Sequence, residues 1–148
     1  MKKAIIITII FFTVSIGLYS FDIGVLGGNF SNPSHLTYGI SGSTGLLVPM
    51  LKMELEYFRI QNTEVLEYPN VMTIGIQFRP KIGNLSPYAA VGVGSEFDNF
   101  GFDEKFTYIG GGVHLFVTGM FSIRGDIRFM NYSDYNRTRI SGGIFLHF

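Results

Sequence analysis

The sequence predicts an all-β protein, an eight-stranded antiparallel up-and-down transmembrane β-barrel, and three observations carry that expectation. From residue 21 onward the chain divides into eight pieces of roughly ten residues, the length that a tilted membrane-crossing strand needs. Polarity alternates along these pieces, and clusters of Pro, Asn, Asp, Ser and Gly separate them. The composition joins 19 Gly to 15 Phe and 8 Tyr without Trp or Cys, a mixture that suits a barrel better than an average globular domain.

The first segment stands apart from the rest. Lys2 and Lys3 precede an apolar stretch from Ala4 to Leu18, and small residues at Gly17 and Ser20 offer cleavage points, so residues 1–20 read as a secretory signal peptide. An uncleaved membrane anchor is the alternative, but the apolar core is short and no basic stop-transfer segment follows it. Residues 21–148 then form one barrel domain. Without the two leading lysines the domain carries nine basic against eleven acidic residues, a balance that argues against a nucleic-acid partner. The absence of cysteine excludes disulfides, thiolate catalysis and zinc sites built on sulfur. Past the N-terminus no apolar run reaches the roughly 18 residues of a membrane helix, so a passage through lipid would be made by strands.

The expected strands are 21 to 30, 36 to 48, 51 to 60, 70 to 79, 87 to 97, 105 to 117, 121 to 132 and 137 to 148. Pro33, Pro49, Pro69, Pro80 and Pro87 all fall at strand ends or between strands, where a missing backbone donor is tolerated. Helices fit worse, because each of Gly110, Gly111 and Gly112 would cost a helix roughly 1 kcal/mol relative to Ala.

Successive strand residues face opposite sides, so parity sorts the side chains into two sets. Met53, Leu55 and Tyr57 oppose Lys52, Glu54 and Glu56; Met72, Ile74, Ile76 and Phe78 oppose Thr73, Gln77 and Arg79. Phe121, Ile123, Ile127 and Phe129 oppose Ser122, Arg124, Asp126 and Arg128, and Ile140, Ile144, Leu146 and Phe148 oppose Arg139, Ser141 and His147. The polar face collects Lys52, Arg79, Arg124, Arg128 and Arg139 against Asp22, Glu54, Glu56, Glu96 and Asp126, five of each sign. Burying an unpaired ion costs several kcal/mol, so this balance predicts a narrow lumen plugged by a charge network in which Arg79, Arg124, Arg128 and Arg139 pair with Glu54, Glu56, Glu96 and Asp126. Gly75, Ala90, Gly92, Gly94, Gly110, Gly112 and Gly143 share that face and make room for the long side chains. A lipocalin-like soluble carrier would show the same alternation with the charges turned to solvent.

Aromatic residues gather near the strand ends, as expected of two interfacial girdles. They are Phe21, Phe30, Tyr57, Phe58, Tyr68, Phe97, Phe106, Tyr108, Phe116, Phe121, Tyr132 and Phe148.

The second half resembles outer-membrane β-barrel proteins of the OmpA and OmpX type, on Ser86-Pro-Tyr-Ala-Ala-Val-Gly-Val-Gly94, Tyr108-Ile-Gly-Gly-Gly-Val113, Phe121-Ser-Ile-Arg-Gly-Asp-Ile-Arg-Phe129 and Ser141-Gly-Gly-Ile-Phe-Leu-His-Phe148. Residues 21 to 80 share only the pattern. The resemblance implies a bacterial outer-membrane location with both termini on the periplasmic side, and outward loops at 31 to 35, 61 to 69, 98 to 104 and 133 to 136. It also implies that Phe148 closes a signal strand read by the barrel-assembly machinery. Membrane lipid and that machinery are the partners it implies, for a chain expected to be a monomer. Its motifs specify fold and location and name no activity.

Catalytic chemistry is thinly represented. His114 and His147 share the polar face with Ser122 and Ser141, which makes a Ser, His and acid arrangement conceivable, but histidines satisfied by neighbouring lumen charges fit better. Asp98, Asn99, Asp103 and Glu104 lack the spacing of an EF-hand loop and read as solvated. The Gly27-Gly28 and Gly110 to Gly112 runs lack the following Lys and helix of a phosphate loop. No catalytic residue, cofactor or metal is therefore expected. The function that the sequence supports is a structural or surface role in the envelope, with a narrow pore or transporter, a lipid-modifying enzyme and a soluble carrier as rivals.

Overall fold

The computed structural model describes residues 20–31, 34–46, 48–61, 69–98 and 101–148. Residues 1–19 of the expected signal peptide, Pro33, Tyr68, Asn99 and most of the expected loop 61 to 69 lie outside them. Eight strands follow one another: β1 (Phe21–Ser31), β2 (His35–Gly45), β3 (Leu51–Gln61), β4 (Asn70–Phe78), β5 (Leu85–Asp98), β6 (Gly101–Phe116), β7 (Phe121–Tyr132) and β8 (Asn136–His147). Each pairs antiparallel with the next, and β1 pairs with β8 to close the barrel. Along that seam Val25 faces Ile144 and Leu26 faces Gly143. Closure leaves no edge strand, so each strand has a neighbour on both sides along its middle.

The structure corrects two boundaries. β2 stops at Gly45 rather than 48, because Val48 already belongs to the turn in which Leu51 N donates to its carbonyl at 2.9 Å. The expected loop 98 to 104 is mostly ladder: β5 and β6 stay paired as far as Asp98 and Gly101, with a register shift between Glu96 and Phe97. Acidic side chains made this stretch look like a loop, but a hairpin ladder uses only backbone groups.

At the end of the barrel where β1 starts and β8 finishes, the tightest turn is Gly83-Asn84. Ile82 and Leu85 exchange backbone hydrogen bonds of 2.7 and 3.0 Å across it, and Gly83 takes a φ of 61° that disfavours any side chain.

Strict alternation splits the side chains as the parity argument requires. In β7 every second residue from Ser122 to Tyr132 is buried and every other one is exposed. The outer wall is Ile, Val, Leu, Met and aromatic, with Ile74, Ile76, Val91, Ile109, Ile127 and Ile144 along its middle.

The aromatic girdles need correction, because six of the aromatics assigned to them point inward, among them Phe116, whose ring lies 4.6 Å from that of His147. Phe30, Phe58, Phe106, Tyr108 and Tyr132 share parity with the lumen charges and join Ile60, Val71 and Met130 in an apolar cluster. Phe21, Phe121 and Phe148 do face outward at the end where β1 starts, and Tyr57 faces outward near the other. Interior glycines make the cluster possible. A Cβ on Gly92 would lie 2.7 Å from the Tyr108 ring, and the Phe106 ring occupies the corresponding space over Gly94.

Candidate functional site

The interior is the only place where this fold gathers polar chemistry on the described strands, and it is arranged in three tiers. The middle tier is a lattice of ions. β3 supplies Glu54 and Glu56, β7 supplies Arg124, Asp126 and Arg128, and β8 supplies Arg139; all six are buried. Glu54 receives Arg124 Nη1 at 2.5 Å and Arg128 Nη2 at 2.6 Å. Glu56 receives Arg124 at 2.9 Å, Arg128 at 2.8 Å and Arg139 at 2.8 Å. Asp126 bonds Arg124 and takes the Tyr88 hydroxyl at 2.8 Å. Three guanidinium groups thus meet three carboxylates, and the tier is neutral.

β3 and β7 stand on opposite walls of an eight-stranded ring. The Arg124 and Arg128 pairs therefore cross the lumen from one wall to the other. Aromatic faces flank the ions: the Arg128 guanidinium lies 4.8 Å from the centre of the Tyr108 ring, and that of Arg139 lies 4.5 Å from the Phe58 ring.

The second tier lies at the end where β1 starts and β8 finishes, around Asp22. Lys52 Nζ reaches Asp22 at 2.6 Å, Arg79 bonds the same oxygen, Ser43 donates at 2.8 Å, and His147 Nδ1 approaches the other oxygen at 2.5 Å. The hydrogen bonds continue from Arg79 Nη1 to His114 Nε2 at 3.2 Å, from His114 Nδ1 to Ser122 Oγ at 2.9 Å, and from Ser122 to His147 Nε2 at 2.6 Å. They close a ring through five side chains. Arg79 can only donate, so His114 accepts at Nε2 and donates from Nδ1, and a neutral His147 completes the ring. Ser122 then donates to His147, whose Nδ1 donates to Asp22. A recess of about 280 Å³ opens beside this ring, lined by Asp22, Lys52, Arg79, His147 and the exposed Lys81.

The third tier, at the opposite end, is the apolar cluster. Two acids border it. Glu96 accepts from Tyr132 Oη at 2.5 Å and lies 3.5 Å from Arg137 Nη1, and Glu104 is bonded by the Tyr135 hydroxyl. Burial and that bond push the Tyr135 hydroxyl above the ordinary phenol range.

The structure thus joins Glu54, Glu56, Arg124, Asp126, Arg128 and Arg139, and it separates Lys52 and Arg79 from them by giving both to Asp22. It also corrects the pairing expected for Glu96, whose partners are Tyr132 and Arg137 because all three stand at the same distal level. Parity cannot resolve height along the barrel, so it missed Arg137 and the central position of Asp22. Rank from the strand end would have found the second: Asp22 and Lys52 are second in their strands, Arg79 just follows β4 and His147 ends β8. Phe148 lies exposed at the same end, its ring centre 6.5 Å from that of Phe21.

Ser122, His147 and Asp22 have the connectivity of nucleophile, base and orienting acid. Ser122 is nevertheless only 1% exposed, and His114 also holds its oxygen. Among the described residues no group of His, Asp and Glu is placed to hold a metal ion. Of the loop residues Asp98, Asn99, Asp103 and Glu104, only the side chain of Glu104 is among those described.

No protein-family model and no curated protein sequence matches the chain. Solved structures do match its backbone. The N-terminal β-barrel domain of Pseudomonas aeruginosa OprF superposes with a TM-score of 0.73 at 15% identity, covering 88% of this chain and 98% of that one. The fold is that of the small outer-membrane β-barrels. Neisserial surface protein A follows at a TM-score of 0.63 and 11% identity, covering 86% of this chain and 95% of its own. The outer-membrane enzyme PagL matches at 0.53 and 14%, covering 85% and 97%. A de novo designed transmembrane barrel matches at 0.68 and 15%, covering 87% and 95%, so this backbone carries no particular activity with it.

Proposed function

We propose that the chain is an integral protein of a bacterial outer membrane whose sealed barrel serves envelope architecture and does not conduct solutes. The observation that carries this reading is the pair of opposed faces. The outer wall is apolar along its middle, and the inner wall is bridged from β3 to β7 by the Arg124 and Arg128 ion pairs. On this reading residues 1–20 direct export and are removed, and the closing strand ending in Phe148 is recognised during assembly. Cell fractionation with heat-modifiable gel mobility tests the location, and planar-bilayer recording tests the seal. Recovery in the soluble periplasm refutes the membrane role; steady conductance by the wild type refutes the plug and favours a pore.

A second reading, a hydrolase, is favoured by the Ser122, His147 and Asp22 chain alone. Covalent labelling of Ser122 by a fluorophosphonate, lost in Ser122→Ala, would support it. No labelling of the intact barrel leaves the structural role.

A further inference from the structure

Charge is rare on the outer wall, and the exceptions are placed alike. Among the strand residues whose side chains are described, only Arg59 and Lys105 carry charge on outward parity. Both stand at the end of the barrel opposite the start of β1, with Arg59 paired to Asn70 and Lys105 to Ser95. The described strand carboxylates Asp22, Glu54, Glu56, Glu96, Glu104 and Asp126 all have the inner parity.

Each of the two cations borders an apolar groove in the wall. Lys105 lies in a groove of about 920 Å³ whose floor is Leu55, Met72, Ile74 and Val93, and whose other polar lining includes Thr107 and Asn131. Arg59 borders a groove of about 570 Å³ with Val25, Tyr38, Ile40 and Tyr57. Arg59 Nε is held by Asn70 Oδ1 at 3.2 Å, and Asn70 also receives the Tyr57 hydroxyl at 2.8 Å. Lys105 makes no ion pair with any described residue.

We infer that these grooves seat lipids whose phosphate headgroups carry net negative charge, with an acyl chain along the apolar floor and the phosphate against Lys105 or Arg59. This rests on the membrane reading above. A long basic side chain at an interface can reach water unaided, which accounts for one outward cation but not for the joining of each cation to a groove. A groove that is apolar along its floor and cationic at one end fits an amphiphile with an anionic head. Among the described side chains no outward carboxylate competes for either cation, and a headgroup phosphate supplies the missing charge.

Retention of phosphatidic acid by the full-length barrel, read by native mass spectrometry against phosphatidylcholine, tests the inference. The wild type retains the anionic lipid, Lys105→Gln retains it about fivefold more weakly, and Lys105→Arg keeps it. Val93→Phe, which fills the groove floor and leaves Lys105 in place, also weakens retention. Equal retention by wild type, Lys105→Gln and Val93→Phe overturns the inference, as does displacement of the lipid by inorganic phosphate, which would mark an anion site without a chain seat. Vesicle flotation separates this from the reading beneath it. A barrel that inserts but retains no phosphatidic acid defeats the lipid seats alone, whereas a chain that does not insert defeats both.

Discussion

Toward the start of β1 and through its middle, the lumen is filled by side chains that satisfy one another through charge and hydrogen bonds; at the opposite end it is filled by Phe30, Phe58, Ile60, Val71 and Met130. The two regions use the same strands and the same parity. What differs is reach. Arg124 and Arg128 extend across the lumen to carboxylates on the far wall, whereas the distal aromatics pack against neighbours and against glycine gaps. A polar filling depends on every partner being present, while an apolar one depends only on volume, so the two regions should fail in different ways.

The largest effect is expected at Arg128, which is fully buried against Glu54, Glu56 and Asp126. Arg128→Met should cost about 3 to 5 kcal/mol in reversible unfolding from lipid vesicles, because it strands buried negative charge. Adding Glu54→Gln should recover part of that loss, and no recovery would mean that the middle tier is not a charge lattice. Phe58→Ala, in the distal region, should cost nearer 3 kcal/mol through the cavity it leaves. No charge change should rescue it, and a bilayer recording of this variant would show whether the ion tier alone keeps the lumen closed. Ile127→Arg tests the other side of the same strand. Placed outward between Asp126 and Arg128, the new charge should cost roughly 2 kcal/mol near the bilayer midplane, while Thr138→Arg near the rim should cost little. A smaller change, about 1 kcal/mol, is expected for Ser122→Ala, which opens the hydrogen-bonded ring at the Asp22 end. A loss as large as that of Arg128→Met would make the ring, not the middle lattice, the main fastening of the lumen.

Much of this was legible in the sequence, and its limits have physical causes. Period-two alternation gave the number of strands and the inner face, because one buried face fixes parity throughout a closed barrel. Parity says nothing about height, so Glu96 was grouped with arginines at another level, and Phe30, Phe58, Phe106, Tyr108, Phe116 and Tyr132 were assigned to girdles although their parity was already that of the charges. The Ser122 ring was beyond reach, since it needs the pairing of Asp22 with His147 across the β1 and β8 seam. Asp98 and Asp103 suggested a loop by composition where the backbone continues its ladder.

Asp22 also bears on the order in which the barrel can form. Its partners come from β2, β3, the residue after β4, and the end of β8, and its bond to His147 joins residues 125 apart in sequence. Contacts so distant along the chain carry the highest closure entropy and form late. The same carboxylate therefore joins near and far parts of the chain: Ser43 and Lys52 lie 21 and 30 residues away, whereas His147 reaches it only once β8 meets β1, so one acid ties the closing seam to strands that pair locally.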